Sequence, residues 1–449
     1  MLSPFNLGIY ADFSRVVNDQ HHAKEMKLIV KSIKSRTVKK LEQNLRDIPS
    51  EDPDWRNKVM SLKSQIATER CKKHNNLSII KYDKQQVNAD NTHTLGLFRS
   101  VITNGLKILS FAPPKSIKYE NFKEKIEKCK FQEYVEGTMV NMFYDNENEE
   151  WEIATRSNIG ARCKFYQDIT NTFRTMFLET MNNLKYEFSM FNTEYSYSWV
   201  LQHPDNRIVA PFVKSSLILT NIYDCNYGGK PGVIMEIPIN PLNESQYWNP
   251  GDPDIHLFTP KSLEKLIDCT GMNINELMNI FEQNSIDYSI MGAVIYDEES
   301  GTRMKIRNPS YEHVRRLKGN SPKLQFQYYK LRQSGLVGEF LKFYPENKVQ
   351  FSKFRQQVHD WTNSLYRNYI RCYIKKEAPL KEFKYEYRTH MFRLHRHYLD
   401  ELKPSSKFVN KTETIEFVNN MPCEHLMCSI NYPLRKPKVD HIKNIVSQN

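Results

Sequence analysis

No stretch of this 449-residue chain approaches the run of about 18 consecutive apolar residues that a membrane-spanning helix needs, so no segment is expected to cross a bilayer. The opening residues, MLSPFNLGIYADF, have no positive region followed by a long apolar core and are read as carrying no signal peptide. Cysteine is sparse and unpatterned. The eight thiols (Cys71, Cys129, Cys163, Cys225, Cys269, Cys372, Cys423 and Cys428) show no repeated spacing, which argues against a disulfide framework and for a reducing, cytoplasmic compartment. The cluster Cys423-Glu-His-Leu-Met-Cys428 has no second pair at zinc spacing and offers at best three ligands. These thiols are read as buried or incidental, and no metal site is assigned. No internal repeat is present.

What the chain does have is a globular composition with excess positive charge. A hydrophobic fraction of 39% with 12% aromatic residues argues against wholesale disorder. The length suits two or three domains at roughly 100–200 residues each. A net charge of +12 and a pI near 9.1 suit a polyanionic partner, because clustered Lys and Arg release counterions from phosphates. With the aromatic content, the charge points to nucleic acid or nucleotide; it says nothing of protein partners.

Residues 1–75 read as a basic helical extension. His22 to Asp47 places Met26, Ile29, Val30, Ile33, Val38, Leu41 and Leu45 on one side, and a second helix is expected from Trp55 to Lys72. From Leu77 the period changes to strands: LSIIKYD, TLGLFRSVI, a turn at Asn104-Gly105, then LKILSFAPP. A helix over Asp168–Leu184 carries the stripe Phe173, Met176, Phe177 and Met181. The strands SSLILTNIYD and GVIMEIPI, a helix over Lys261–Asn284 and a hairpin ending in RMKIRNP complete the middle block. Lys323 to His397 is helical, with Phe351, Phe354, Val358, Trp361 and Leu365 on one face and a surplus of Arg, His and Tyr suited to a nucleic-acid groove. The fold class expected is α+β, with an antiparallel core at 76–320 and a mainly helical block at 321–449.

The organising stretch is Phe131 to Ala161, FQEYVEGTMVNMFYDNENEEWEIATRSNIGA, read as two strands around the polar break Asp145–Glu150. A Glu136-Gly137 corner leads in and Thr155 to Gly160, Thr-Arg-Ser-Asn-Ile-Gly, leads out. Further on come Trp199 to Val209 with Pro204, Asn206 and Arg207, then Met291-Gly292-Ala293-Val294 and Lys305-Ile306-Arg307. The order of these parts, over about residues 90–320, resembles the covalent nucleotidyltransferases, closest in style to the T4-type RNA ligase 1 group and its relatives in large DNA viruses. Covalent nucleotidyl transfer needs a deprotonated amine in line with the α-phosphate of ATP, cations to neutralise that phosphate, and carboxylates to hold a divalent metal.

Carried over residue by residue, the resemblance implies phosphate or nucleotide contacts at Arg99, Glu136, Gly137, Arg156, Gly160, Lys305 and Arg307. Lys305 and Arg307 face one side of a strand at period two. It also places Tyr134 where the motif's nucleophilic lysine belongs, Val200 where a glutamate belongs, and Met291 where a second glutamate belongs. Lys130 shares a strand face with Tyr134 but lies four residues away, about 13 Å at about 3.3 Å each, too far for one lysine side chain to cover. Tyr134 as the acceptor would need strong activation of a phenol with an ordinary pKa of about 10. It is read instead as a packed aromatic, as is the patch Tyr195-Tyr197-Trp199. The expectation is an RNA ligase-like pseudoenzyme that binds RNA ends or nucleotide, with ATP and Mg as the cofactors the resemblance implies. The alternatives are an active ATP-dependent RNA ligase with a displaced nucleophile, and an RNA-binding scaffold of a viral factory or particle, which would work in the host cytoplasm.

Overall fold

The computed structural model describes residues 5–7, 66–70, 77–85, 87–89, 92, 95–104, 107–122, 129–166, 170–229, 232–267, 272, 274–283, 286–297 and 299–435. The helix expected from His22 to Asp47 lies outside them. The chain divides into two compact units, Met1–Phe165 with Ile169–His313, and Tyr166–Asp168 with Val314–Asn449.

Three sheets build the first unit. A four-stranded antiparallel sheet takes β2 (Ile66–Arg70), β3 (Leu77–Tyr82), β4 (Val101–Asn104) and β5 (Lys107–Phe111) in chain order. Ile66–Arg70 was expected as the end of a helix; its backbone instead pairs with Ser78 to Tyr82, and this long-range partner overrides the local period. A seven-stranded sheet is built from β1 (Phe5–Asn6), β7 (Thr138–Asp145), β8 (Glu150–Thr155), β9 (Asn158–Ile159), β10 (Tyr195–Gln202), β11 (Ser216–Asp224) and β12 (Val233–Ile237). Its order is β1-β12-β11-β10-β7-β8-β9. The third sheet has the order β14-β13-β6, from Arg303–Arg307, Gly292–Tyr296 and Lys130–Glu133.

Strand periodicity puts the seven-stranded sheet at the centre. On one face Val140, Met142, Ile153, Tyr197, Trp199, Leu201, Leu217 and Leu219 pack against helix α1 (Phe173–Asn183). Thr172 caps α1 by accepting from the Thr175 amide at 3.2 Å, and its buried stripe is Phe173, Met176, Phe177, Thr180 and Met181, the face expected from the sequence. On the other face Phe143 and Ala154 pack with Leu77, Ile79, Ile102 and Leu109 of the four-stranded sheet, and the Ser110 and Ser196 hydroxyls meet at 2.7 Å between the layers. The small sheet packs Ala293, Ile295, Met304 and Ile306 against α2 (Ile274–Glu282). The segment expected as one helix over 261–284 supplies α2 and a helical turn at Leu263–Lys265. Thr270 and Gly271, between them in sequence, are weak helix formers.

Phe131 to Ala161, expected as a hairpin, does more than that. β7 and β8 are a hairpin with register Val140↔Thr155 to Asp145↔Glu150. Phe131, however, belongs to β6 and pairs with Ile295 in the small sheet. The chain changes sheets across residues 134–137, and two residues hold it there. Buried Glu136 accepts from the Val209 amide at 2.7 Å and from the Ala210 amide at 3.1–3.2 Å. Gly137 has φ +148°, and a Cβ there would stand 2.5 Å from the Leu201 carbonyl oxygen and 2.6 Å from Val200 Cγ1.

The second unit is helical. α3 (Pro309–Lys318) leads into α4 (Leu324–Gln333), α5 (Val337–Phe343), α6 (Lys348–Tyr369), α7 (Tyr385–His397), α8 (Lys411–Asn419) and α9 (Cys423–Ile430). The stripe of α6 buries Phe351, Val358, Trp361 and Leu365, while Phe354 is half-buried. Phe351 stacks on Phe340 at 4.9 Å, and Tyr373 stacks on His395 at 4.0 Å. Among the described residues no helix is long and apolar enough to cross a membrane, and no group of three His, Cys, Asp or Glu side chains is arranged to hold a metal ion.

Two neighbouring substitutions on α1 test the layer assignment. Phe177→Ala should lower stability by about 3–5 kcal/mol and Leu178→Ala by about 0.5 kcal/mol or less in urea denaturation, so equal losses would contradict it. At the change of sheets, Glu136→Ala leaves two buried amides without their acceptor and should cost about 2–5 kcal/mol. Gly137→Ala should cost at least about 2 kcal/mol, since the Leu201 carbonyl cannot move aside. A melting temperature unchanged by either would show that the sheets are joined some other way.

Candidate functional site

Where β6 ends and β7 begins, the small sheet and the seven-stranded sheet enclose a cavity of about 280 Å³. Its floor is the face of the central sheet opposite α1. Met139 of β7 and Val200 of β10 lie side by side in the register, and Asn221 of β11 and Glu236 of β12 continue the floor. The small sheet supplies Lys130, Gln132 and Glu133 from β6, Val294 and Tyr296 from β13, and Arg303 and Lys305 from β14. Arg99 and Pro113 enter from the segments flanking β4 and β5.

Four cations therefore line one pocket: Arg99, Lys130, Arg303 and Lys305. The Pro113-Pro114 segment holds two of them together. Arg303 Nε donates to the Pro114 carbonyl at 3.0 Å and its Nη2 to the Pro113 carbonyl at 2.9 Å, while Arg99 Nη1 reaches the same Pro113 carbonyl at 3.4 Å. Burial, and then the adjacent Arg303, push the Arg99 guanidinium down to about 10, so it stays charged at neutral pH.

Lys305 is more strongly affected. Its Nζ stands 4.0 Å from the centroid of the Tyr134 ring. Burial, then the charges of Arg303, Arg99, Arg307 and Lys115, hold its amine well below the ordinary lysine value. A cation–π contact with Tyr134 favours the charged amine by about 0.5–2 kcal/mol. Desolvation and the neighbouring cations act against it.

The two carboxylates in the pocket are already engaged. Glu133 accepts from the Lys261 amide at 3.2 Å, and burial raises its pKa. Glu236 is buried and accepts from Asn221 Nδ2 at 2.5 Å. Burial, then the Glu236 charge, push the Tyr296 phenol far up, so it remains protonated. The donor set fits the phosphates of a nucleotide and does not fit a divalent cation held by the protein: Val200 and Met291, where the resemblance calls for glutamates, face the cavity as apolar groups.

The structure brings together Arg99, Lys130, Tyr134, Gly137 and Lys305, with Val200 and Met291, in this one pocket. It does not bring every expected residue there. Glu136 is turned onto the Val209 and Ala210 amides. Arg156 lies outside the lining; its guanidinium covers the Tyr82 ring at 4.8 Å and its Nε donates to the Arg99 carbonyl at 3.3 Å, so it supports Arg99 from behind. Gly160, with φ +87°, closes the turn after β9, where its carbonyl accepts from Arg174 at 3.3 Å. Arg307 pairs with Glu312 at 2.6 Å, with its guanidinium 5.8 Å from the Tyr134 ring. The sequence reading passed over Arg303 and Glu236. Arg303 shares the period-two face of Lys305 and Arg307, which would have marked it, but Glu236 lies in a strand of otherwise apolar residues and gave no motif signal.

No protein-family profile matches the chain. Over 239 residues, 48% of this chain, it is 25% identical to an RNA ligase of Rhodothermus phage RM378 and covers 52% of it, so it spans about half the length of that relative. Among solved structures, an archaeal ATP-dependent RNA ligase superposes with a TM-score of 0.34 at 13% identity, over 90% of this chain and 84% of that one. A variant of the Naegleria gruberi RNA ligase, determined with ATP and manganese, superposes with a TM-score of 0.31 at 12% identity, over 58% of this chain and 83% of that one. In the order of its motifs and its similarity to the phage enzyme, this α+β chain resembles the RNA ligase-like covalent nucleotidyltransferases.

Proposed function

We propose that this chain is an RNA ligase-like protein that binds nucleotide and RNA ends in the pocket, and that its catalytic motifs are degenerate at positions 134, 200 and 291. The observation that carries this reading is the composition of the lining. Arg99, Lys130, Arg303 and Lys305 meet there, whereas Tyr134, Val200 and Met291 stand where a lysine and two glutamates belong. Four cations converge on one cavity, and a triphosphate or a 5′-phosphorylated RNA end is an anion that matches them. The apolar part of the lining, Met139, Val200, Ile237, Ile239 and Met291, offers a surface for a base. ATP is the nucleotide that the family resemblance suggests. Arg99 and Arg303, fixed by the Pro113 and Pro114 carbonyls, would orient the phosphates, and no step is assigned to a protein-held metal.

Equilibrium binding of ATP and of 5′-phosphorylated single-stranded RNA tests the reading. Arg99→Gln and Arg303→Gln should each weaken binding by about 10- to 100-fold, as expected for loss of one charge-assisted contact, and lower the slope of log affinity against log salt. Affinity for both ligands that survives these changes would move the binding surface off the pocket. Treatment with α-labelled ATP should give no covalent adduct that depends on Tyr134 or Lys130. An adduct lost in Tyr134→Phe or Lys130→Gln would restore the chemistry to the original motif.

A further inference from the structure

We propose that Lys305 is a covalent nucleophile, whose amine attacks the α-phosphorus of a nucleoside triphosphate held among Arg99, Arg303 and Lys130. This rests on the pocket being the nucleotide site, and it gives that pocket an activity that the loss of the motif lysine removes from position 134.

The geometry carries the proposal. Lys305 lines the cavity from β14, and its Nζ lies 4.0 Å from the ring of Tyr134, the residue in the nucleophile's place. The amine thus reaches the neighbourhood a motif lysine would serve, from the adjoining wall. Arg303, two residues earlier on the same strand face, and Arg99 are fixed by backbone carbonyls and available to the transferring phosphate. Desolvation and the neighbouring cations hold the Lys305 amine well below the ordinary lysine value, which enlarges the share of it that carries the lone pair attack requires. An ordinary phosphate-binding lysine is the reverse case, charged and strongly hydrated.

In the step itself Lys305 Nζ forms an N–P bond to the α-phosphorus and the bond from that phosphorus to the β-bridging oxygen breaks. Pyrophosphate leaves with the electron pair, and the amine gives up a proton to solvent. The product is a lysyl phosphoramidate of the nucleoside monophosphate. No oxidant or second protein is needed.

The test uses the full chain with α-labelled magnesium ATP, a denaturing gel, and ATP affinity measured on the same preparations. The expected result is a labelled band that is acid-labile and base-stable, as a phosphoramidate is, with AMP on the peptide containing Lys305. The band should disappear in Lys305→Gln and Lys305→Arg and persist in Tyr134→Phe. Its rate should rise with pH and level off well below pH 10.5, and Arg303→Lys, which keeps a cation but not the bidentate guanidinium, should leave that levelling-off near its original pH. Arg303→Gln should move it to higher pH, because removing the nearest charge lets the amine hold its proton longer. ATP binding without an acid-labile adduct, or an adduct that survives Lys305→Gln, would overturn the assignment and leave the binding reading intact. An acid-stable adduct would place the ester on a tyrosine instead. Absence of ATP binding in the unsubstituted chain would overturn both readings.

Discussion

Everything in the pocket depends on how the chain passes from one sheet to another across four residues. β6 belongs to the small sheet and β7 to the central one, so residues 134–137 must turn without leaving backbone groups stranded. Glu136 solves half of this by placing a carboxylate under the Val209 and Ala210 amides, tying the turn to the segment after β10. Gly137 solves the other half by letting β7 approach the Leu201 carbonyl more closely than any side chain allows. The consequence is positional. Tyr134 is held at the rim of one sheet and Met139 on the floor of the next, facing Val200, and the cavity between them follows from that crossing.

The same crossing separates the residues of this motif that serve the fold from those that would serve chemistry. Glu136 and Gly137 serve backbone geometry, so they are needed whether or not a nucleophile stands two residues earlier. A lysine at position 134, or glutamates at 200 and 291, would serve only ligand and metal. Replacement by Tyr, Val and Met costs the fold little, because each is apolar or amphipathic in a partly buried wall. What remains is a lining of four cations with two carboxylates that are already hydrogen-bonded. Two unit charges about 6 Å apart repel by roughly 3 kcal/mol at an effective dielectric of about 20. The Pro113 and Pro114 carbonyls offset part of this for Arg99 and Arg303, whereas at Lys305 it shows as an amine held well below the ordinary lysine value.

How much of this the sequence disclosed depends on the range of the interaction. The stripe of α1, the β7–β8 hairpin and the apolar face of α6 are written in local period and were legible in it. Ile66–Arg70 was misread because its strand character comes from Ser78 to Tyr82 across the chain. Motif order likewise brought Arg99, Tyr134, Val200, Met291 and Lys305 to one place, though nothing local links them. It could not tell a residue that lines a cavity from one that supports it: Glu136 and Arg156 occupy motif positions, yet one holds backbone amides and the other stacks on Tyr82 behind Arg99. The depressed basicity of Lys305 was not legible at all, since it arises from burial and from cations that the fold gathers from its own strand and from two distant segments, at Arg99 and Lys115.

A Lys305 of lowered basicity and an anion-binding pocket pull against each other. A phosphate close to the amine favours its charged form, and each unit charge at about 4 Å is worth roughly 4 kcal/mol at an effective dielectric of about 20. The resolution lies in where the charge of a triphosphate resides. Most of it is on the β- and γ-phosphates, and the guanidiniums, which stay charged throughout, can neutralise these while the α-phosphate brings about one charge of its own. Arg99 and Arg303 then have two effects of the same sign: they draw in the polyphosphate, and their own charge lowers the basicity of the neighbouring amine. Arginine at positions 99 and 303 beside Lys305 is the arrangement that keeps binding and nucleophilicity on different side chains.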